Sequence, residues 1–142
     1  MHTELPAALH EGCTMGDLIL RAIRRGGDRI AFVRDAQAIS YRAFGEALSC
    51  MVQALEARGL RHGDSIAVLS SNRPEAFLVS AAGYLMGLRA TWMHPLASED
   101  DHAYLLEDSG VKTLVVDPEW FAERAKALQA RLPGLQRVVG LG

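Results

Sequence analysis

The sequence predicts an α/β domain built on a mostly parallel sheet with helices on both faces. Residues 64–95 carry most of that prediction. Ile66-Ala67-Val68-Leu69 is a short uncharged run closed by Ser70-Ser71-Asn72, and Ala90-Thr91-Trp92-Met93 is a second, closed by His94-Pro95. Between them, Pro74 and Glu75 open a stretch without a charge from Ala76 to Leu88. The order reads strand, helix, strand, with parallel strands joined by a right-handed crossover. Both strands read as apolar on both faces, so the sheet is expected to be covered on both sides. Helical and extended patterns then alternate from Ser40 onward, the signature of the α/β class. The helix of the 64–95 unit carries Ala81, Ala82 and Gly83, small enough to lie against a sheet, and is read as buried core. Its thirteen uncharged residues are too few to span a bilayer.

The other elements follow from caps and periodicity. Thr14 caps a first helix with Asp17 as its capping-box partner; Leu18, Ile19, Ala22 and Ile23 make its apolar face, and Gly26-Gly27 stops it. Ile30-Ala31-Phe32-Val33 and Ala38-Ile39 flank a turn at Asp35-Ala36-Gln37 and form a hairpin. Ser40 caps a long helix whose stripe is Phe44, Leu48, Met51 and Leu55, and Gly59 follows its end. Ser98 caps another, with Glu99, Asp100 and Asp101 in the first turn, Leu105 and Leu106 on the buried side and Gly110 at the stop. Thr113-Leu114-Val115-Val116 is a strand, and Asp117-Pro118 starts a helix with Phe121, Ala125, Leu128 and Leu132 on one face. Arg137-Val138-Val139 reads as a last strand.

With 142 residues the chain has the size of one domain, and 49% hydrophobic with 23% charged residues excludes disorder. A formal charge of -2 leaves no footprint for nucleic acid. Arg21, Arg24, Arg25 and Arg29 gather around one predicted helix end, where cations suit the dipole. Residues 1–12 lack the apolar core of a signal peptide, and Cys13 and Cys50 form no CxxC pair, so a cytoplasmic setting is expected, with peripheral membrane contact left open.

Chemistry is sparse. No GxxxxGK[ST], GxSxG or HExxH run occurs. Glu99-Asp100-Asp101 reads as a helix start rather than a metal site. His94 is the single candidate for substrate contact, because it follows a central strand at the edge where open α/β sheets gather ligands; a loop histidine bonded to backbone is the competing reading. Ser70, Ser71 and Asn72 hold the equivalent place after the first strand of the 64–95 unit, and Asn72 with Glu75 is read as a helix cap. Trp92, Tyr84 and Phe77 fit a core as well as a pocket. No residue is assigned a catalytic, cofactor-binding or metal role.

Four segments invite comparison: Ile39-Ser40-Tyr41-Arg42-Ala43-Phe44; 59–68, which runs Gly-Leu-Arg-His-Gly-Asp-Ser-Ile-Ala-Val; Asn72-Arg73-Pro74-Glu75-Ala76-Phe77; and 102–110, which ends Leu-Leu-Glu-Asp-Ser-Gly. In this order and spacing, from about Met15 to Asp117, they resemble the AMP-forming acyl-CoA synthetases of the adenylate-forming superfamily. That superfamily also holds peptide-synthetase adenylation domains and firefly-type luciferases. His94-Pro95 stands where the family usually has Asn-Pro. The resemblance implies that 15–142 is the opening α/β subdomain of a large N-terminal domain, with 1–14 a flexible lead. It implies a parent that activates a carboxylic acid, a fatty acid by preference, with ATP and Mg²⁺ as acyl-AMP, and passes it to CoA. The family's phosphate loop, nucleotide pocket and mobile C-terminal domain lie downstream of the matched segments. The 142 residues are therefore expected to be inactive alone, and to expose apolar surface that the remainder of the parent covers or that a homodimer buries. The alternatives are a self-contained α/β binding or regulatory module and a peptide-synthetase adenylation domain.

Overall fold

The computed structural model describes residues 13–142; the part of the expected lead up to residue 12 lies outside the described residues. The elements run α1 (Met15–Gly26), β1 (Ile30–Arg34), β2 (Gln37–Ser40), α2 (Tyr41–Ala57), β3 (Ser65–Leu69), α3 (Pro74–Met86), β4 (Arg89–Trp92), α4 (Glu99–Asp108), β5 (Thr113–Val116), α5 (Pro118–Arg131) and β6 (Arg137–Gly140). β1 and β2 pair antiparallel as a separate hairpin, and the other four strands form a parallel sheet in the order β4-β3-β5-β6.

Local chemistry explains most of the boundaries. Thr14 and Asp17 close a capping box at α1, and Ser98 and Asp101 close another at α4. Ser40 caps α2 through the Ala43 N–H, and Asp117 caps α5 through the Glu119 N–H, with Pro118 at the first helical position. In the hairpin, Asp35 and Ala36 both take positive φ, 47° and 67°, as a two-residue turn matched to strand twist requires.

The parallel sheet has one core on each face. Ile66 and Val68 of β3 point to a cluster with Phe44, Leu48 and Leu55 of α2 and Val79 of α3. Ala67 and Leu69, their alternate neighbours, point to a second cluster with Leu106 of α4 and Ala125 and Leu128 of α5. Helices therefore do cover both faces, and all four residues of β5 are buried.

Several expectations fail here, among them the apolar face of α1, where Leu18 and Ala22 are exposed. β4 is an edge strand with both ends exposed, so Trp92 is 47% accessible rather than in the core. Phe77 and Tyr84 of α3 are also exposed, although Phe77 closes an aromatic trio with Phe32 and Phe44 at centroid distances of 5.3 to 5.7 Å. Asn72 does not cap α3: the N-cap is Arg73, which makes no side-chain capping bond. On α4 the buried set is His102, Ala103 and Leu106, while Leu105 is half-buried.

The carboxyl edge of the parallel sheet as a candidate functional site

From β3 the chain runs outward to β4, and from β5 it runs to β6 on the other side. The order thus reverses between β3 and β5, and in such sheets the crevice beyond the two carboxyl ends is the usual place for a ligand. In this protein its own side chains fill the crevice. The Asp117 side chain, 1% exposed, accepts from the Ser71 hydroxyl at 2.5 Å, from Arg73 Nη1 at 3.0 Å and from the Glu119 N–H at 3.2 Å. Arg73, 15% exposed, also donates from Nε to Glu75 at 2.8 Å, and Glu75 faces Arg34 Nη1 of β1 at 3.6 Å. The row Asp117, Arg73, Glu75, Arg34 alternates in sign, and it ties the end of β5, the start of α3 and the hairpin together.

These contacts set the protonation states. Burial pushes the Asp117 carboxyl up, but Ser71, the Glu119 N–H and Arg73 together hold it below the ordinary 3.8. The Arg73 hydrogen bond draws Glu75 below its ordinary 4.5 against a smaller opposing effect of burial, and Arg34 adds to it. A carboxyl whose folded pKa is depressed stabilises the fold fully above its unfolded value, and that contribution is lost as pH falls through the folded one. Stability should therefore decline on acidification below the window 4.5 to 3.8. Asp17, Asp28 and Asp101 are held low as well, by Thr14, Arg42 and Ser98. The test is urea unfolding against pH: Asp117→Asn and Glu75→Gln should each flatten the acid limb, and an unchanged limb in both would show that the crevice contributes nothing.

The second cluster lies beyond β4. His94 is exposed, and its Nδ1 accepts from the Leu96 N–H at 3.2 Å. His102 of α4 is brought to it: its Nε2 lies 2.8 Å from the His94 carbonyl, and its Nδ1 lies 2.9 Å from Arg124 Nη1 of α5. The acids at the start of α4 are engaged in turn. Asp101 completes the capping box, Asp100 meets Arg131 at 2.6 Å and Glu99 meets Arg124 at 3.7 Å.

Among the described residues no group of three or more His, Cys, Asp or Glu could hold a metal ion, and the Asp117 carboxylate already accepts three hydrogen bonds. What the edge does is position: it fixes the ends of β3, β4 and β5. Sequence reasoning missed Arg73, Asp117 and His102 as members of these clusters. Elsewhere, an apolar groove of about 670 Å³ among α1, α2 and the end of α3 includes Leu20, Ile23, Val52 and Leu85.

A family model described as AMP-binding enzyme matches residues 19–140. The medium/long-chain-fatty-acid–CoA ligase FadD8 of Mycobacterium tuberculosis is 36% identical over 129 residues, which cover 89% of this chain and 22% of that protein. A 2-succinylbenzoate–CoA ligase of Bacillus subtilis is 31% identical over 90 residues, or 63% of this chain and 18% of its own length. The chain thus spans about a fifth of these relatives. The solved structure of the anthranilate CoA ligase AuaEII with anthranoyl-AMP superposes with a TM-score of 0.83 at 20% identity, over 95% of this chain and 26% of the other.

Proposed function

Since this chain belongs to the AMP-binding enzyme family, we propose that it is the sheet-and-helix platform of a longer acyl-CoA synthetase that joins a fatty acid to CoA at the expense of ATP. The observation that carries the acid class is the 36% identity with a medium/long-chain-fatty-acid–CoA ligase. The chain's residues supply rigidity in this reading. They hold the carboxyl edge in shape through Asp117 and Arg73, and they present His94 as the side chain proposed to meet the acid. ATP, Mg²⁺ and CoA are engaged by other parts of the protein, and no chemical step is assigned to these residues. The exposed Phe77, Tyr84, Trp92, Leu96 and Trp120 are surfaces for the remainder of that protein, or for a second copy when it is absent. The reading places the enzyme in the cytoplasm; no helix among the described residues is long and apolar enough to cross a membrane.

A second reading, an aryl-acid ligase, is favoured by the likeness to the succinylbenzoate ligase. One experiment separates the two. The longest reading frame that contains these residues is expressed and assayed for AMP release that requires both acid and CoA. Release with medium- and long-chain fatty acids is expected, and release with 2-succinylbenzoate alone would transfer the assignment. No release with either acid would defeat the ligase reading. The 142 residues alone should give no ATP-dependent pyrophosphate, and turnover by them would overturn the platform role.

A further inference from the structure

His102 is buried to 1% exposure, and nothing in the proposed reaction uses it. Its two ring nitrogens meet two different elements. Arg124 of α5 can only donate, so Nδ1 at 2.9 Å carries the lone pair and Nε2 carries the proton given to the His94 carbonyl at 2.8 Å. The same carbonyl accepts from the Ala97 N–H at 3.1 Å, and Arg124 reaches the Ala97 carbonyl at 3.3 Å. The turn 94–97 is thus gripped at both ends by one imidazole and one guanidinium. We propose that His102 is the positioning residue of this turn, as a neutral Nε2–H ring, and that protonating the ring expels Arg124 and so frees the Ala97 end of the turn.

The reason is the direction of the bonds. A proton on Nδ1 removes the lone pair to which Arg124 donates and sets two N–H groups of positive fragments against each other. Arg124 faces the ring from α5, Glu99 and Asp101 lie on its own helix, and His94 sits in the turn itself. The sheet residues of this core, Met93, Leu114 and Val116, are apolar and offer no counter-ion. Neither acid replaces the lost acceptor, because Glu99 is already at Arg124 and Asp101 is closed in its capping box. The Nε2–H bond to the His94 carbonyl survives protonation, so it is the Ala97 end, held by Arg124, that loosens, and the shape of this edge becomes dependent on pH. The inference stands on this geometry and does not need the acyl-CoA reading.

Nitrogen-detected NMR of the histidine rings in the 142-residue chain tests it directly. The expected result is an Nε2–H tautomer for His102 at neutral pH. On acidification, amide exchange at Ala97, corrected for its intrinsic rate, should rise about tenfold with the same midpoint as the His102 ring, the scale of one lost hydrogen bond. His102→Gln keeps a donor near the Nε2 position and takes up no proton, so it should hold the turn at both ends of the titration. His94→Asn keeps an acceptor for the Leu96 N–H and should retain the response. An Nδ1–H tautomer, an Ala97 amide indifferent to pH, or an acid response undiminished in His102→Gln would each overturn the proposal. Should His102→Gln fail to fold, the unsubstituted chain's ring and amide titrations decide the matter.

Discussion

Asp117→Ala should cost the fold about 3 to 4 kcal/mol, because it removes one partner of a buried ion pair and a helix cap together. The Asp117 carboxylate has three donors and almost no water, so its removal leaves Arg73 at 15% exposure with only Glu75 as counter-charge. The Ser71 hydroxyl loses its acceptor at the same time. Asp117→Asn keeps an oxygen for the Glu119 N–H and Arg73, turns its amide nitrogen toward the Ser71 hydroxyl, which can rotate to accept, and drops the charge, so its cost should be about 1 to 2 kcal/mol, the difference between charged and neutral hydrogen bonds. Urea unfolding gives both numbers from the shift in midpoint at constant slope. A double-mutant cycle with Arg73→Met should return a coupling well above that of an exposed pair such as Lys126 with Glu123. If Asp117→Ala moves stability by less than about 1 kcal/mol, the crevice is hydrated and the carboxyl edge is not the rigid frame described above.

The same cluster shows what a one-dimensional reading can and cannot reach. Phe44, Leu48 and Leu55 were legible because a helix buries what recurs on its own face, and β3 and β5 because uncharged runs bounded by caps have few alternatives. Asp117 was legible only as the cap before Pro118, since its ion-pair partner lies 44 residues earlier and meets it only where the strand order places β3 beside β5. Propensity chose Asn72 as the cap of α3; the structure leaves Asn72 exposed and puts Arg73 at that position, because its guanidinium is needed by Asp117 and Glu75. Trp92 misled for a different reason. Apolar residues on both faces of a strand signal burial only if neighbours exist on both sides, and β4 has one. His102 shares a stripe with Leu106, but an imidazole is stable there only when both nitrogens are bonded, and its partners stand eight and 22 residues away.

Gly26 and Gly27 were one stop signal in the sequence, and the structure gives them two separate reasons, so substituting each should fail in its own way. Gly26 is the last residue of α1 and is buried against Tyr41 at the start of α2; a β-carbon there would overlap the Tyr41 ring and also its Cβ, which the backbone fixes in place. The backbone on each side is pinned as well, by Tyr41 N–H to Arg29 and Arg42 N–H to Gly27 at 3.0 and 2.8 Å. Relief therefore requires α2 to shift on α1, and Gly26→Ala should cost about 3 kcal/mol, the upper end of ordinary overpacking. Gly27 has open space around its α-carbon but takes φ 54° and ψ -121°, so Gly27→Ala should cost about 1 to 3 kcal/mol through backbone strain alone. The Tyr41→Gly background, which removes the β-carbon as well as the ring, tells the mechanisms apart. Without the side chain, Gly26→Ala should become markedly cheaper, whereas the cost of Gly27→Ala should not change. Equal costs for Gly26→Ala with and without the Tyr41 side chain would mean that the α1–α2 junction is not packed as described, and the hairpin that joins these helices would lose its anchor.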